Sequence, residues 1–311
     1  MITNIDVTLR DGGYRNSFNF SLDYALAHAR SSVASGFDWV EIGYRNGSSR
    51  PERTDGLTES CGDDYIAAMA REIGPENIGI MVHPENLGAH DLDEMWNAGA
   101  RLVRICFSSS DPRRSLDCAQ RAVEIGYVVC VNVTRVSTVP PKRLRRIVHA
   151  VSDLGVTALY LADSNGSLLP DEVDALVESS LSGQGLAIGL HAHNHLGLAL
   201  VNTIRAVDAG ATWVDSAVLG MGKGAGNLVA EQWLAYLSQR RLGSGRFDLG
   251  SLLELSTRLG ENVAEAAPRL DLTDMLLGYF DLSIEHSPRL AEILDRHAQV
   301  RAAGLLAGAL S

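Results

Sequence analysis

The stretch Gly189-Leu-His-Ala-His-Asn-His-Leu-Gly197 places three imidazoles at alternating positions where an apolar run ends. That run, Leu186 to Leu190, has the length of a short buried strand. Because successive strand side chains point to opposite faces, His191 and His193 share one face, with about 6–7 Å between them along the strand. Two neutral imidazoles at this spacing can bind one cation. The pattern predicts a metal site, and the alternative is a pair of hydrogen-bonded core histidines.

Strand-length apolar runs and segments of helical spacing alternate along most of the chain. Glycine follows the end of several helical segments, as expected where a helix stops before the next strand. Alternating strands and helices with short links predict a parallel sheet, and eight such units predict a closed (β/α)8 TIM barrel. A doubly wound open sheet is the alternative. The eight apolar runs are Ile2–Leu9, Trp39–Ile42, Ile78–Val82, Leu102–Phe107, Tyr127–Val133, Ala158–Leu161, Leu186–Leu190 and Thr212–Ala217.

The last part of the chain lacks this alternation, since helical spacing continues there without a clear strand. We therefore predict a TIM-barrel catalytic domain over residues 1–245 and a C-terminal helical extension over 246–311, packed on the barrel. Ser21, Ser115 and Pro170-Asp171 are predicted to begin helices. The helices expected in the barrel are Leu22–Ser35, Asp63–Ile73, Asp91–Ala98, Leu116–Ile125, Lys142–Leu154, Asp171–Ser180 and Leu198–Ala209.

Composition excludes several classes of function. The 311 residues are 46% hydrophobic and 21% charged, which is typical of a globular protein with a large core, and the net charge of −11 argues against a nucleic-acid partner. The basic segment Lys142-Arg-Leu-Arg-Arg146 fits the solvated face of a helix. No signal peptide or membrane-length apolar run is expected, and the four cysteines lack C-x-x-C spacing. These features predict a cytoplasmic protein with reduced thiols and no membrane partner.

Polar residues follow the predicted strands, at the end of the barrel where TIM-barrel active sites lie. Asp11 follows the first strand, which a closed barrel separates from the seventh only by the eighth, so its carboxylate can join the imidazoles. This mixed ligand set suits Mn²⁺ or Mg²⁺, with Co²⁺ or Zn²⁺ as alternatives. The adjacent Arg10 is a planar cation suited to a developing enolate oxygen. The alternative for Arg10 and Asp11 is a simple salt bridge.

A glycine-rich loop, Gly220-Met-Gly-Lys-Gly-Ala-Gly226, follows the eighth strand. Its spacing matches neither the dinucleotide-binding nor the P-loop pattern. We interpret it as a loop that allows a close approach of the backbone and brings Asn227 to the mouth of the barrel. A cradle for phosphate or coenzyme A is the alternative, because phosphates often bind after strands 7 and 8 of such barrels.

Taken together, these residues resemble the DRE-TIM metallolyase superfamily, which includes the HMG-CoA lyases. The resemblance implies that Asp11, His191 and His193 bind a metal, that Asn227 lies at or near the ion, and that Arg10 stabilises an enolate. The matching motifs occur in the same order over some 220 residues and are Thr8-Leu-Arg-Asp-Gly12, Ala162-Asp-Ser164, His191-Ala-His-Asn194 and Gly224-Ala-Gly-Asn227.

Within the superfamily, the sequence is most similar to the 4-hydroxy-2-oxovalerate aldolase branch, through Gly224-Ala-Gly-Asn227 and Leu276-Leu-Gly-Tyr279. The resemblance implies that Tyr279 reaches the site. Tyr14, however, occupies the place where that branch has a histidine base. We predict that His195 is the base and Tyr14 a hydrogen-bond donor, because imidazole titrates near neutrality and phenol near pH 10. The alternative is that His195 only orients a neighbour or caps the following helix.

The predicted function is a metal-dependent carbon–carbon lyase, an aldolase that cleaves or forms a 4-hydroxy-2-oxo acid through a pyruvate-type enolate. Its expected partners are a small 2-oxo acid and an aldehyde, with a homo-oligomer and an aldehyde dehydrogenase partner as further expectations. Two alternatives stay open. One is a Claisen-type synthase that condenses an acyl-CoA with a 2-oxo acid, as isopropylmalate and homocitrate synthases do, and the other is a non-catalytic scaffold barrel.

Overall fold

The computed structural model describes residues 1–48, 56–181, 185–242, 246–267 and 270–310. Within these residues, eight parallel strands form a barrel in which each strand pairs with the next and the last pairs with the first. The predicted TIM barrel is therefore confirmed, and the open sheet is wrong. The strands are β1 (Thr3–Asp6), β2 (Trp39–Arg45), β3 (Ile78–Val82), β4 (Leu102–Cys106), β5 (Val128–Val133), β6 (Ala158–Asp163), β7 (Ala187–Ala192) and β8 (Trp213–Ser216).

The helices of the barrel lie outside the sheet and bury their apolar faces against it. Their predicted positions agree with the structure to within a few residues, although the four-residue α2 and the helix after β8 were not foreseen. They are α1 (Leu22–Ser35), α2 (Leu57–Ser60), α3 (Asp63–Ile73), α4 (Asp91–Ala98), α5 (Pro112–Ile125), α6 (Pro141–Ser152), α7 (Pro170–Ser180), α8 (Ala199–Asp208) and α9 (Ala230–Gln239). None of the helices in the described residues is long and apolar enough to cross a membrane.

The helix starts show where sequence signals suffice. Ser21 caps α1, since its side chain accepts a hydrogen bond from the backbone N–H of Tyr24, as predicted. Ser115 does not cap α5: the cap is Asp111, one turn earlier, which accepts from the backbone N–H of Arg114. The prediction at Ser115 is wrong because Pro112 occupies the first turn, where its missing N–H costs nothing, and so extends the helix backwards.

A bulge in β2 is important for the site. The pairing register with β3 shifts between Glu41 and Tyr44. Residues three apart on a regular strand face opposite sides, but a bulge adds one residue and restores the same side. As a result, Glu41 contacts Arg10 inside the barrel and Tyr44 lines the cavity at its mouth.

The C-terminal extension consists of α10 (Leu249–Asn262), α11 (Leu272–Tyr279), α12 (Ser287–Ala291) and α13 (Arg296–Leu310). Helix α10 packs on α1. The other three bury their own apolar cluster, which includes Leu277, Leu282 and Leu290. The helical extension packed on the barrel is thus observed, whereas the boundary between 245 and 246 stays a prediction because residues 243–245 lie outside the described ranges.

Candidate metal centre and active site

A cavity of about 880 Å³ opens at the carboxyl ends of the strands. Its floor is formed by residues at the ends of β1 and β7, and one side is closed by the segment between α11 and α12. Cavities of this size hold small metabolites. The lining of this cavity includes Arg10, Asp11, Tyr14, Tyr44, His83, Glu85, Ser108, Ser109, Ser110, Arg135, Arg143, His191, His193, Lys223, Asp281 and His286.

The structure brings Asp11, His191 and His193 together on the cavity floor. One ligand atom from each lies within 4.8 Å of the others, and the three residues are only 3–6% exposed. The two Nε2 atoms of the histidines are 3.3 Å apart. A sequence separation of 180 residues is thus closed by the neighbouring positions of β7, β8 and β1 around the barrel.

The protonation of this cluster suits a cation. His191 directs Nδ1 at Asp215 Oδ2, 2.9 Å away, so Nδ1–H donates and Nε2 keeps its lone pair. Burial lowers the pKa of His193 to about 3, which keeps that imidazole neutral. For Asp11, burial is outweighed by Arg10 and the two histidines, and its carboxyl pKa falls well below the usual range. Two imidazole nitrogens and one carboxylate therefore converge, a ligand set that a divalent metal can bind.

Asn227 adds a fourth potential ligand, an amide oxygen, beside this set. Its Nδ2 donates to Asp11 Oδ2 over 2.8 Å and to Met221 O over 3.1 Å. Its Oδ1 is buried and has no hydrogen-bond partner among the described residues. An unpartnered buried acceptor beside three potential ligands is a feature that a bound cation would satisfy.

The glycine loop permits this close packing. A Cβ built on Gly222 would lie 2.3 Å from Asn227 Nδ2 and 2.8 Å from Asp11 Oδ2, so a larger residue would displace both. Gly226 has a φ of +96°, and a Cβ there would lie 2.2 Å from Gly220 O. These contacts favour the interpretation of a close-approach loop over that of a ligand cradle.

A chain of buried charges runs under the cavity floor. Glu41 Oε2 accepts from Arg10 Nε over 2.6 Å and from Arg104 Nη1 over 3.2 Å. Arg104 Nη2 donates to Asp215 Oδ2 over 2.6 Å, and Asp215 accepts from His191. Against the effect of burial, Arg104 and His191 lower the pKa of Asp215, so that this carboxylate stays ionised. This chain of charges fixes the orientation of Arg10 at one end. At the other end it fixes the tautomer of His191 in which Nε2 is free to bind a metal.

Arg10 is aimed into the cavity by this chain. Nε and Nη1 bond to Glu41 and Asp11, while Nη2 is buried with no hydrogen-bond partner in the described residues. Arg10 Nη1 also lies 3.5 Å from the Tyr44 hydroxyl. Nε and Nη1 are held by the two carboxylates, and Nη2 has no partner among the described residues. Arg10 can therefore donate a hydrogen bond from Nη2 to an anionic oxygen of a ligand.

Tyr14 lies on the cavity wall, as expected of a residue that contacts a substrate. Its hydroxyl is 3.4 Å from the hydroxyl of Tyr44, and Lys223 Nζ lies 4.9 Å from the centre of its ring. It also packs edge-on against Phe18. The phenol is therefore held in one orientation by its neighbours, one of which, Tyr44, also contacts Arg10.

His195 and Tyr279 are not among the residues that line the cavity. His195 is 1% exposed, its Nδ1 lies 2.5 Å from Asn165 O, and its ring stacks on His193. A Cβ on Gly224 would lie 2.5 Å from His195 Nε2, which places that nitrogen beneath the glycine loop. Tyr279 is 69% exposed and packs on Phe280. The structure thus brings together the predicted metal ligands, Arg10 and Tyr14, but does not bring His195 or Tyr279 into the cavity.

The extension reaches the cavity through a different segment. Asp281 Oδ1 accepts from Ser137, Asn165 and Ser167 over 2.7–2.8 Å, which ties the turn after α11 to the loops that follow β5 and β6. Residues 283–286 then form part of the cavity wall. Sequence analysis missed this clamp because its partners lie more than 100 positions apart.

Sequence analysis also missed Arg104, Asp215 and His83. The first two are charged residues inside strand-length apolar runs, at 0–2% exposure. A charge in such a run is a usable signal, since an ion is buried there only with a partner. His83 follows Val82 at the end of β3 and could have been found by the same rule that selected Asp11.

The fold and site define a class, the TIM-barrel enzymes, here with two histidines and one carboxylate at the strand ends that could hold a metal ion. The sequence pattern of the HMGL-like family matches residues 1–258, and the chain belongs to that family. The 4-hydroxy-2-oxovalerate aldolase of Carboxydothermus hydrogenoformans is 28% identical over 291 residues, which cover 93% of this chain and 86% of that protein.

Two solved structures show the same fold. The N-terminal domain of a Bacteroides vulgatus protein superposes with a TM-score of 0.83 at 24% identity, covering 97% of this chain and all of that one. The HMG-CoA lyase of Bacillus subtilis gives a TM-score of 0.71 at 19% identity and covers 88% of this chain and 97% of the lyase. At these sequence identities the structural likeness supports the fold, a barrel with a helical extension, and nothing about function.

Proposed function

We propose that the protein is a divalent-metal-dependent aldolase that cleaves or forms a 4-hydroxy-2-oxo acid through a pyruvate-type enolate. The observation that carries the proposal is the convergence of Asp11, His191 and His193 on the cavity floor, beside an arginine with an unpaired nitrogen. It is supported by relatives named 4-hydroxy-2-oxovalerate aldolase, one of which aligns over 93% of the chain.

In this proposal Asp11 and the Nε2 atoms of His191 and His193 hold the metal, with Asn227 Oδ1 at or near it. The bound ion would supply Lewis-acid polarisation of the 2-oxo acid. Mn²⁺ or Mg²⁺ fits the carboxylate and amide oxygens, and Co²⁺ or Zn²⁺ is compatible with the imidazoles. Asp215 keeps His191 in the ligating tautomer, since its carboxylate accepts from Nδ1–H.

Arg10 would stabilise the negative charge that develops on the substrate's 2-oxo oxygen. Its Nη2 is already desolvated and fixed by Glu41 and Asp11, so little reorganisation is needed when that charge forms. Tyr14 would donate a hydrogen bond that holds the substrate, because its hydroxyl lies at the same wall of the cavity. The roles of His195 as the base and of Tyr279 as a substrate contact remain predictions. Because neither side chain is part of the cavity lining, neither is placed to touch a substrate directly.

The partners proposed are a small 2-oxo acid, with pyruvate as the product of cleavage, and an aldehyde. A homo-oligomer, an aldehyde dehydrogenase that receives the aldehyde, and a cytoplasmic location are part of the same proposal and rest on the resemblance and the composition. No feature of the described residues favours the acyl-CoA condensation or the scaffold role over the aldol reaction.

The test is to incubate the purified protein with pyruvate and acetaldehyde or propanal, with and without Mn²⁺. A 4-hydroxy-2-oxo acid should form only with metal, and the same product should be cleaved to pyruvate in the reverse assay. Stoichiometric thiol release from acetyl-CoA with a 2-oxo acid would instead support the Claisen reaction. If metal binds and neither reaction occurs, the scaffold alternative gains support.

A further inference from the structure

The cleavage reaction needs a base for the 4-hydroxyl proton, and few groups in the cavity qualify. His191 and His193 are assigned to the metal. Burial raises the pKa of Tyr44 well above its usual range, so its phenolate is not accessible near neutral pH. Asp281 already accepts three hydrogen bonds from Ser137, Asn165 and Ser167. Two histidines remain in the lining, His83 at the end of β3 and His286 on the extension.

His83 is linked to the residues around the metal ligands by side-chain contacts. Its ring stacks on Tyr44, with ring centres 5.6 Å apart, and the Tyr44 hydroxyl contacts both Arg10 and Tyr14. A single layer of side chains thus connects His83 to the arginine beside the metal ligands. His286 belongs to a three-residue turn of the extension and has no such connection within the described residues.

We propose that His83 is the general acid–base residue that exchanges a proton with the 4-hydroxyl group of the substrate. The proposal rests on the aldolase function given above and names the catalytic group which that function lacks at Tyr14. The base would then follow β3, whereas the aldolase branch has it after β1 and the sequence analysis predicted it at His195, after β7.

The surroundings of His83 suit a base. Its Nδ1 lies 3.7 Å from Glu85 Oε1, and the side chain of His83 is 12% exposed. This separation exceeds hydrogen-bond distance, so the Glu85 carboxylate acts on the imidazole only through its charge. Burial, together with Arg10 and Lys223, lowers the pKa of the imidazole, while Glu85 acts in the opposite direction. The ring is therefore neutral at pH 7 and ready to accept a proton.

The reaction balances without a further reagent. His83 takes the proton of the 4-hydroxyl as C4 becomes an aldehyde carbonyl, and the C3–C4 bond breaks. The electron pair moves into C2–C3 as the 2-oxo oxygen takes up negative charge beside Arg10. C3 then gains a proton from solvent while the imidazolium releases its proton to solvent, which gives pyruvate and regenerates the base. Synthesis follows the same steps in reverse.

Comparing two reactions at the same active site distinguishes a catalytic role of His83 from a structural one. Cleavage of 4-hydroxy-2-oxovalerate needs the hydroxyl base, whereas decarboxylation of oxaloacetate yields the same enolate with no hydroxyl proton to remove. His83→Asn and His83→Gln should lower kcat for cleavage by about 10²–10⁴, the range for loss of a general base. Decarboxylation should change by less than about threefold, on the reasoning that it does not use the base.

A pH profile gives a second readout. Because the pKa of His83 is lowered, cleavage should lose activity as pH falls through a value below 6.5, when the imidazole becomes protonated. This acid limb should move or vanish in His83→Asn. His90→Asn, an exposed histidine ahead of α4, is the matched control and should match the parent in both reactions. Mn²⁺ binding by calorimetry and the thermal melting of each variant show whether the fold and metal centre are intact.

The outcomes separate the two proposals. If the parent protein catalyses neither reaction, the aldolase function fails and His83 is not at issue. If both reactions fall together in the folded His83 variants, or cleavage falls by less than tenfold, His83 is not the base. A selective loss of cleavage in His195→Ala or Tyr14→Phe, with His83→Asn active, would assign the proton transfer to that residue instead.

Discussion

Two walls of the cavity differ in how firmly their side chains are held. On the metal-binding wall, formed by the ends of β1, β7 and β8, Asp11, His191 and His193 are at most 6% exposed, and Asp11 and His191 each have a charged neighbour. On the facing wall, formed by the loops after β4 and β5 and the first turn of α6, Ser109, Ser110, Arg135 and Arg143 are exposed.

The difference between the two walls corresponds to two tasks of the active site, stabilising charge and admitting the aldehyde. Stabilising a charge that forms at one oxygen requires groups fixed before the reaction, because reorganisation would cost part of the stabilisation. Admitting an aldehyde requires only a surface of suitable polarity, and loops supply it without strain on the barrel. We therefore expect substitutions on the metal-binding wall to affect every substrate and substitutions on the facing wall to affect particular ones.

The largest effect is expected from His193→Ala. Removing one of three ligands should abolish the tight binding of one Mn²⁺ per chain and lower turnover by about 10³ or more, since Lewis-acid stabilisation supplies several kcal/mol. Calorimetry and pyruvate release measure the two effects. His149→Ala, an exposed histidine on α6, is the control. Equal Mn²⁺ affinity in His193→Ala and the parent would mean that His193 is not a metal ligand.

A second large effect should come from Glu41→Gln, which breaks the charge chain beneath the metal-binding wall. Arg10 and Arg104 share this carboxylate, and both are almost fully buried. Removing one member of a buried ion pair costs about 3–5 kcal/mol, because the remaining charge is left without compensation. Urea unfolding measures the loss, and Glu178→Gln on the exposed face of α7 should change the free energy of unfolding by less than about 0.5 kcal/mol.

A loss below about 1 kcal/mol for Glu41→Gln would mean that the chain is not a stabilising unit. The metal-binding wall would then depend on packing alone, and the contrast between the two walls would be weaker than proposed. Turnover should fall in the same variant, because Arg10 loses its orientation.

Much of the fold and the metal-binding wall could be predicted from sequence, for a physical reason. Parallel strands bury both faces, so each appears as a short apolar run, and glycine marks helix ends such as Gly36 and Gly126. His191 and His193 are two positions apart on one strand, which fixes their common face. Asp11 joins them because barrel closure sets β1 beside β8.

The rest depends on distances that no local pattern encodes. Glu41 and Tyr44 face the interior together only because β2 bulges between them. Arg104 meets Asp215 across the barrel, 111 positions away. The extension closes the cavity with residues 281–286, whereas Tyr279, predicted by resemblance, points elsewhere at the end of α11. Side-chain partners across the barrel and the docking of a helical extension are set by tertiary packing.

The smallest effect is expected on the facing wall. Arg135 and Arg143 line the cavity, and neither has a carboxylate partner within the part of the chain that the structure describes. Arg143 Nη2 instead donates to Ser109 O over 2.6 Å, which leaves Arg135 as the cation more available to a ligand. Such an exposed cation should favour an aldehyde with an anionic end.

Arg135→Ala should therefore raise KM for glyoxylate, an aldehyde that carries a carboxylate, and leave KM for acetaldehyde unchanged. An exposed ion pair contributes about 0.2–1 kcal/mol, which corresponds to an increase of about fivefold at most. The increase should shrink at high salt, because an exposed pair is screened. Arg145→Ala, exposed on α6 and outside the cavity lining, is the control. Equal changes in KM for both aldehydes would mean that Arg135 shapes the loop after β5 and does not select the substrate's charge.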